Sequence, residues 1–309
     1  MIAQKTIDKF FWFFIAAGVT GGFLFSGFFQ QFECYVFYIL MLMMGLLFLK
    51  IDILDIVTHI KKPQILLFIA FINLLLVPTI IYFIFRGFVD QDTLLGLVLI
   101  SSLPAGIPSA VMTDIMRGRT PLSLMIIIVT NLLAAFTIPF IFWLWLKAEI
   151  ELSYMSLFLD MVKLIAIPLI LAKLLKKLLL KDHIIAKVQD YGNWIMLGLI
   201  SLLMMISISF QAEYIIQNIS ELLKTLGILY LAFFLFQMIG YLSIIWRKKG
   251  GRAAVSNSNV VVNNFLGILL ALAFFPPKVV TIVILSFIPW STLIVLKHTY
   301  KWYRKFLPR

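Results

Sequence analysis

Two short stretches of this chain carry chemistry that their apolar surroundings do not. From Leu99 to Asp114 the residues read Leu-Ile-Ser-Ser-Leu-Pro-Ala-Gly-Ile-Pro-Ser-Ala-Val-Met-Thr-Asp, which sets Ser109 and Thr113 beside Pro104, Gly106 and Pro108. In a second run, Ser256, Asn257, Ser258, Asn259, Asn263 and Asn264 interrupt an otherwise apolar segment. Hydroxyls and amides donate and accept hydrogen bonds and offer hard oxygen ligands, but they do not titrate near neutral pH. They suit the coordination of an ion or a polar solute. Catalysis would need a nucleophile with its base, paired acids or a metal cluster, and the three histidines, His59, His183 and His298, fall in loops or the tail. Neither glycine pair, Gly21-Gly22 nor Gly250-Gly251, stands in a phosphate-binding loop. These features exclude the common enzyme classes and direct coupling to a nucleotide.

The elements that position these residues follow from composition. With 62% hydrophobic residues, 13% charged residues and a mean hydropathy of +1.06, the 309-residue chain has more apolar surface than one soluble core could hide. Apolar stretches of roughly 20 residues, each able to cross about 30 Å of hydrocarbon as a helix, recur from Phe10 almost to the end. The segment from Ile228 to Phe236 is apolar on every face, which fits a helix and not the alternation of a barrel strand. The sequence predicts ten spans, at 10–32, 35–49, 64–86, 94–115, 121–146, 155–180, 192–211, 222–246, 252–275 and 278–297. The first is expected to be a retained helix and not a signal peptide, because no small-residue cleavage pattern follows it.

The net charge of +12 does not indicate nucleic acid, since the basic residues are spread over short loops. Taken in alternate loops, 21 lysines and arginines fall on one side and four on the other, with Lys163 inside a span. By the positive-inside rule both termini are then cytoplasmic, as expected of a multi-pass protein of the inner cell membrane. The lysines at 176, 177 and 181 mark the cytoplasmic end of the sixth span, and Trp143, Trp145 and Tyr154 the opposite interface.

Span 4 contains two prolines and a glycine near mid-membrane and must break there. Span 9 carries the Ser/Asn cluster, which is costly in hydrocarbon unless it finds partners or lines a wet cavity. Each is the fourth span of its set of five, so residues 1–150 and 151–309 are expected to form two five-helix repeats, the second inverted. Interrupted helices at matching positions of an inverted repeat point to the midplane binding site of a transporter. Ser109, Asn131, Ser258, Asn259 and Asn263 are the expected polar lining. The plain alternative for each is a hydrogen bond between helices, worth about 0.6–2 kcal/mol. Asp160, three residues before Lys163 on the same helix, is the candidate proton carrier, with an ordinary surface ion pair as the alternative. Cys34, the single cysteine, excludes an internal disulfide.

At these residues the chain resembles the bile acid:sodium symporter family. Pro104-Ala-Gly-Ile-Pro-Ser109-Ala-Val-Met-Thr113 is similar to that family's Pro-Gly-Gly-x-x-Ser-Asn-Val-Met-Thr, and Arg117-Gly118 with Leu122-Ser123 to the continuation. Pro139 falls on a proline of the fifth helix, and Asn73, five residues before Pro78, on a glutamine of the third. Aligning Asn263 and Leu266 with the ninth-helix motif Glu-Val-Gly-Met-Gln-Asn-Ser-Gly-Leu puts Ser258 on the glutamate and Val262 on the glutamine. The resemblance implies ten helices in a core domain and a panel domain, with the broken helices 4 and 9 crossing to hold two sodium ions. The chain departs from that ligand set at Ser258, which has no charge, at Ala110 in place of an asparagine, and at Ile127 in place of a threonine. Sodium ligands that remain are Ser109, Ser123, Asn73 and Ser258, with broken-helix carbonyls.

The expected function is secondary transport of a small organic anion by alternating access, with sodium as the candidate coupling ion and no other cofactor. The alternatives are a proton-coupled or uncoupled carrier or exporter of the same superfamily, and a non-transporting membrane receptor. Arsenite efflux is a further transporter reading, disfavoured by the absence of a cysteine from the fourth span. The expected partners are the solute and the lipid bilayer. Oligomeric state is left open, a monomer included.

Overall fold

The computed structural model describes residues 13–14, 16–50, 63–106, 108–146, 153–178 and 182–293. Every extended element among them is helical, and the one strand-like feature is an isolated bridge between Ala105 and Val262. In chain order the helices are α1 (Val36–Lys50), α2 (Pro63–Phe71), α3 (Val77–Phe85), α4 (Gln91–Ser102), α5 (Pro108–Ile115) and α6 (Thr120–Leu146). They continue as α7 (Tyr154–Leu178), α8 (Asp182–Gln217), α9 (Ile219–Leu242), α10 (Lys249–Val260), α11 (Asn264–Phe274) and α12 (Pro277–Leu285).

Six stretches among the described residues are long and apolar enough to cross a membrane: Ser26–Leu46, Pro63–Phe85, Thr120–Leu146, Met155–Lys177, Trp194–Gln217 and Ile219–Leu242. Six such stretches stand against the ten predicted. Spans 4 and 9 are each divided into two short helices by the residues that sequence marks as breakers. The last apolar helix runs only Pro277–Leu293, and the first predicted span begins among residues outside those described. His59, His298 and the basic tail also lie outside them. Spans 1 and 2 are joined without an open loop: Ser26–Phe29 runs into a tight 3₁₀ segment, Gln30–Tyr35, and then into α1.

The chain folds as two compact units, each built from two separate segments. The first comprises residues 1–60 and 158–219. In it, a Cβ on Gly18 would lie 2.7 Å from Met204 Cβ, and one on Gly22 would lie 2.6 Å from Ile208 Cβ. The missing side chains therefore let the helix around residues 16–24 approach α8 closely, a packing mode typical of membrane helices. The Gln30 amide donates to the Ser209 carbonyl at 2.9 Å.

The second unit comprises residues 61–157 and 220–309 and contains both broken helices. At its centre α4 is buried on every face from Thr93 to Ser102, packed against α3, α6 and α12. Asp90 caps its first turn, accepting from the Thr93 N–H at 3.1 Å and from the Thr93 hydroxyl at 2.7 Å. Helices α2 and α3 form one rod through a π-helical turn at Ile72–Leu76. Pro78 explains the turn: it has no N–H for the carbonyl four residues back, and a wider turn relieves the clash of its ring.

Candidate transport site at the helix crossing

Breaking a helix in an apolar interior leaves backbone N–H and C=O groups without partners, and each costs about 1–3 kcal/mol if left so. Here the two breaks satisfy each other. Leu103 takes an extended conformation at the end of α4, and Val261 and Asn263 leave helical geometry between α10 and α11. The Gly106 N–H donates to the Val261 carbonyl at 2.7 Å, and the Asn263 N–H to the Pro104 carbonyl at 2.8 Å. This antiparallel pairing admits only glycine at 106, where a Cβ would stand 2.6 Å from the Val262 oxygen.

Helix α6 completes the crossing. The Thr130 hydroxyl accepts from the Ala105 N–H at 3.1 Å, and the Asn131 amide donates to the Ala105 carbonyl at 3.0 Å. Asn131 Oδ1 in turn accepts from Asn263 Nδ2 at 3.2 Å. Asn263 also caps α11 by accepting from the Leu266 N–H. One side chain of α6 is thus bonded to both breaks.

Beside the bridge, α5, α6 and α10 bring three hydroxyls together. Ser109 and Ser123 Oγ are 3.3 Å apart, and Ser123 and Ser258 Oγ are 3.1 Å apart. All three residues are at most 1% exposed. Thr113 donates back to the Ser109 carbonyl, and Asn257 Nδ2 donates to the Thr113 hydroxyl at 3.3 Å and contacts Met116 Sδ at 3.5 Å. The cluster holds neutral oxygens only. The described carboxylates of this unit, Asp90, Asp92, Asp114 and Glu221, stand at helix ends. Among the described residues no three of His, Cys, Asp and Glu come together as a metal site.

The candidates from sequence therefore divide by location. Ser109, Thr113, Ser123, Asn257 and Ser258 form the hydroxyl–amide cluster, and Asn131 and Asn263 hold the crossing. Ser256 and Asn259 turn toward α9, donating to the Gln237 and Phe236 carbonyls at 3.0 and 3.3 Å. Asn264 turns toward α12, donating to Ser286 Oγ at 2.5 Å. Asn259 and Asn264 each keep a buried Oδ1 without a hydrogen-bond partner. Asn73 sits on the π turn at 6% exposure with neither amide atom paired. Asp160 belongs to the other unit, where it pairs with Lys163 at 3.0 Å on an exposed part of α7. Cys34 is exposed in that same unit.

Sequence reasoning missed Thr130, whose only signal is its place beside Asn131. It also missed an ion cluster at the head of α4, where Lys278 bridges Asp90, at 3.0 Å, and Glu221. Burial alone would raise the Asp90 carboxyl, but the Thr93 hydroxyl, Lys278 and the Thr93 N–H together hold it below the ordinary carboxylate range.

Residues 37–218 match the family model described as the sodium bile acid symporter family. The arsenical-resistance protein Acr3 of Alkaliphilus metalliredigens is 28% identical over 252 residues, covering 75% of this chain and 70% of that protein. The uncharacterized sodium-dependent transporter YocS of Bacillus subtilis is 24% identical over 263 residues, covering 83% of this chain and 79% of its own length. With the apolar helices and the matched segment, which spans more than half of the sequence, these likenesses settle the class of molecule: the chain belongs to the sodium bile acid symporter family and is a membrane transporter, not an enzyme.

Proposed function

We propose that the protein carries a small organic anion across the inner cell membrane by alternating access, with the solute resting where the breaks of α4/α5 and α10/α11 meet. The observation that carries this reading is the mutual pairing of the two breaks beside a buried cluster of three hydroxyls. The half-helices α5 and α11 direct N-terminal partial positive charge at the crossing, which favours an anion. The carbonyl ends of α4 and α10 favour a cation. The antiparallel sense of the bridge supports two inverted five-helix halves, 1–150 and 151–309, in a ten-span molecule with both termini cytoplasmic.

Sodium is the coupling ion of this proposal, held by Ser109, Ser123 and Ser258 with the crossing carbonyls, and by the unpaired amide of Asn73. Hard oxygens suit sodium, and they do not suit a soft metalloid. The only cysteine lies in the unit without the crossing, which favours an organic anion over the arsenical named for one relative. Uptake by proteoliposomes tests the reading, using a panel of labelled carboxylates and sulfonates with taurocholate included. Sodium is replaced by choline in one arm, and a pH gradient is imposed in another. The expected result is sodium-dependent uptake of at least one anion, lost in Ser109→Leu. Uptake driven by the pH gradient alone would replace sodium by a proton and direct attention to Asp160. No transport or binding of any anion would refute the organic-anion reading and direct the search to other solutes that a carrier or exporter of this family could move.

A further inference from the structure

At the end of the second unit remote from Asp90, the loop 117–119 and the segment 247–252 are tied together by a hydrogen bond from the Arg119 N–H to the Gly250 carbonyl, 3.0 Å. They gather Arg117, Arg119, Arg247, Lys248, Lys249 and Arg252, against which the neighbouring acid is Asp114. None of the six cations forms an ion pair among the described residues, and Arg117, Arg119, Lys248 and Lys249 are exposed. Topology alone asks only for positive charge on this side, not for what lies beside it. The end of α9 and the turn that follows it expose Tyr241, Leu242, Ile245 and Trp246 directly before Arg247, and Phe68 of α2 packs against Trp246 with its ring tilted by 45°, 5.9 Å between centroids. Trp246 is 63% exposed. Arg252 lies over the Tyr241 ring, 4.0 Å from its centre, at the seam between the charged and the apolar part.

We propose that this juxtaposition is a binding site for an anionic phospholipid, the phosphate held by the Arg247–Arg252 cations and the Arg117/Arg119 loop, and the acyl chains laid on the Tyr241–Trp246–Phe68 ledge. The two halves of the patch match the two halves of such a lipid, whereas a soluble anion would use the cations alone. The uncapped start of α10 has no acid in its first turn and adds partial positive charge to the same end. Basic clusters next to membrane helices attract anionic headgroups by about fivefold in affinity per cation, a charge effect that salt weakens.

The test uses the full-length protein, purified in detergent and stripped of lipid. Phosphatidylglycerol is compared with phosphatidylcholine of the same acyl chains and with inorganic phosphate, by thermal shift and by retained lipid in native mass spectrometry. Phosphatidylglycerol is expected to stabilise the protein and to remain bound, and both effects should fall as salt is raised. The combined variant R247Q/K248Q/K249Q/R252Q is expected to lower its apparent affinity by about a hundredfold or more. Trp246→Ala should lower it several-fold, and Lys224→Gln, at the opposite end of α9, should leave it unchanged. Equal retention of the two lipids, a salt-independent shift in the unmodified protein, or full retention by the four-charge variant would each overturn the proposal. An equal shift with inorganic phosphate would overturn it in favour of a free-anion site. Because the readout is lipid binding and not uptake, its outcome is independent of which solute is carried.

Discussion

Asn131→Ala isolates the cost of holding two broken helices together. The substitution removes the donor to the Ala105 carbonyl and the acceptor for Asn263 Nδ2. It also removes a bond to the Ile127 carbonyl, but that oxygen lies one turn back in α6 and keeps the helical N–H of residue 131. Two buried groups are therefore orphaned. Polar pairs between membrane helices average about 0.6 kcal/mol and reach about 1.7, because the separated groups often find other partners. Asn263 can turn and belongs near the lower figure. Ala105 lies in the break, where no N–H four residues on is placed to replace the amide, and belongs near the upper one. The expected destabilisation is about 2–3 kcal/mol. Ser123→Ala should cost under about 1 kcal/mol, because Ser109 and Ser258 can each turn to a carbonyl of their own helix. Both variants can be measured by reversible SDS-induced unfolding in mixed micelles. In a double-mutant cycle, Asn131→Ala and Asn263→Ala should couple by more than about 0.5 kcal/mol. If Asn131→Ala costs no more than Ser123→Ala, or if the two asparagine variants add independently, the crossing is not held as described.

Gly106→Ala should abolish the folded, transport-competent protein, since its Cβ would meet the Val262 backbone oxygen at 2.6 Å, an atom that cannot rotate away; yield of monodisperse protein and uptake check this. Arg117 has φ 53°, a left-handed conformation costing about 1–2 kcal/mol, so Arg117→Gly should raise thermal stability while weakening phosphatidylglycerol binding. Asp90 has a folded-state pKa below its unfolded value, so its contribution is present above the ordinary carboxylate range and is lost as pH falls through the folded value. Unfolding followed from neutral pH to about pH 3 should show that loss, and Asp90→Ala should show less of it.

What was legible in the sequence was whatever depends on local chemistry. Pro104, Gly106 and Pro108 marked the break in span 4, because proline and glycine act on their own backbone wherever they stand. The Ser/Asn run marked span 9, because so many polar groups cannot lie unpartnered in lipid. Ser109, Ser123 and Ser258 were singled out along the chain, but their mutual contact was not legible, since it depends on how three helices pack. The asparagines show the same limit. Asn131 and Asn263 bond to each other, Asn259 and Asn264 bond to neighbouring helices, and Asn73 bonds to nothing described, yet their residue type is one and the same. The ion cluster of Lys278, Asp90 and Glu221 joins residues up to 188 positions apart (278 − 90) and has no local signature. Helix length has the opposite limit: the breaks in spans 4 and 9 leave half-helices shorter than a full span.

The bonds at the crossing also separate what can move from what must stay. The backbone bridge and the Asn131 bond to the Ala105 carbonyl satisfy backbone groups with no other partner within reach, so opening them is expensive and they act as an anchor. The three serine hydroxyls satisfy only one another, with neutral hydrogen bonds worth about 0.5–1.5 kcal/mol each. A sodium ion or the polar end of a solute can therefore displace them at small cost, and the same oxygens can close again when it leaves. Ser123→Ala and Asn131→Ala should accordingly split two properties. The serine variant should keep nearly full stability but change the sodium dependence of uptake, and the asparagine variant should lose stability while any folded remainder keeps the sodium dependence of the parent. Sodium-dependent uptake unchanged in Ser123→Ala would show that the exchangeable ligands lie elsewhere, with the unpaired amide of Asn73 the next group to test.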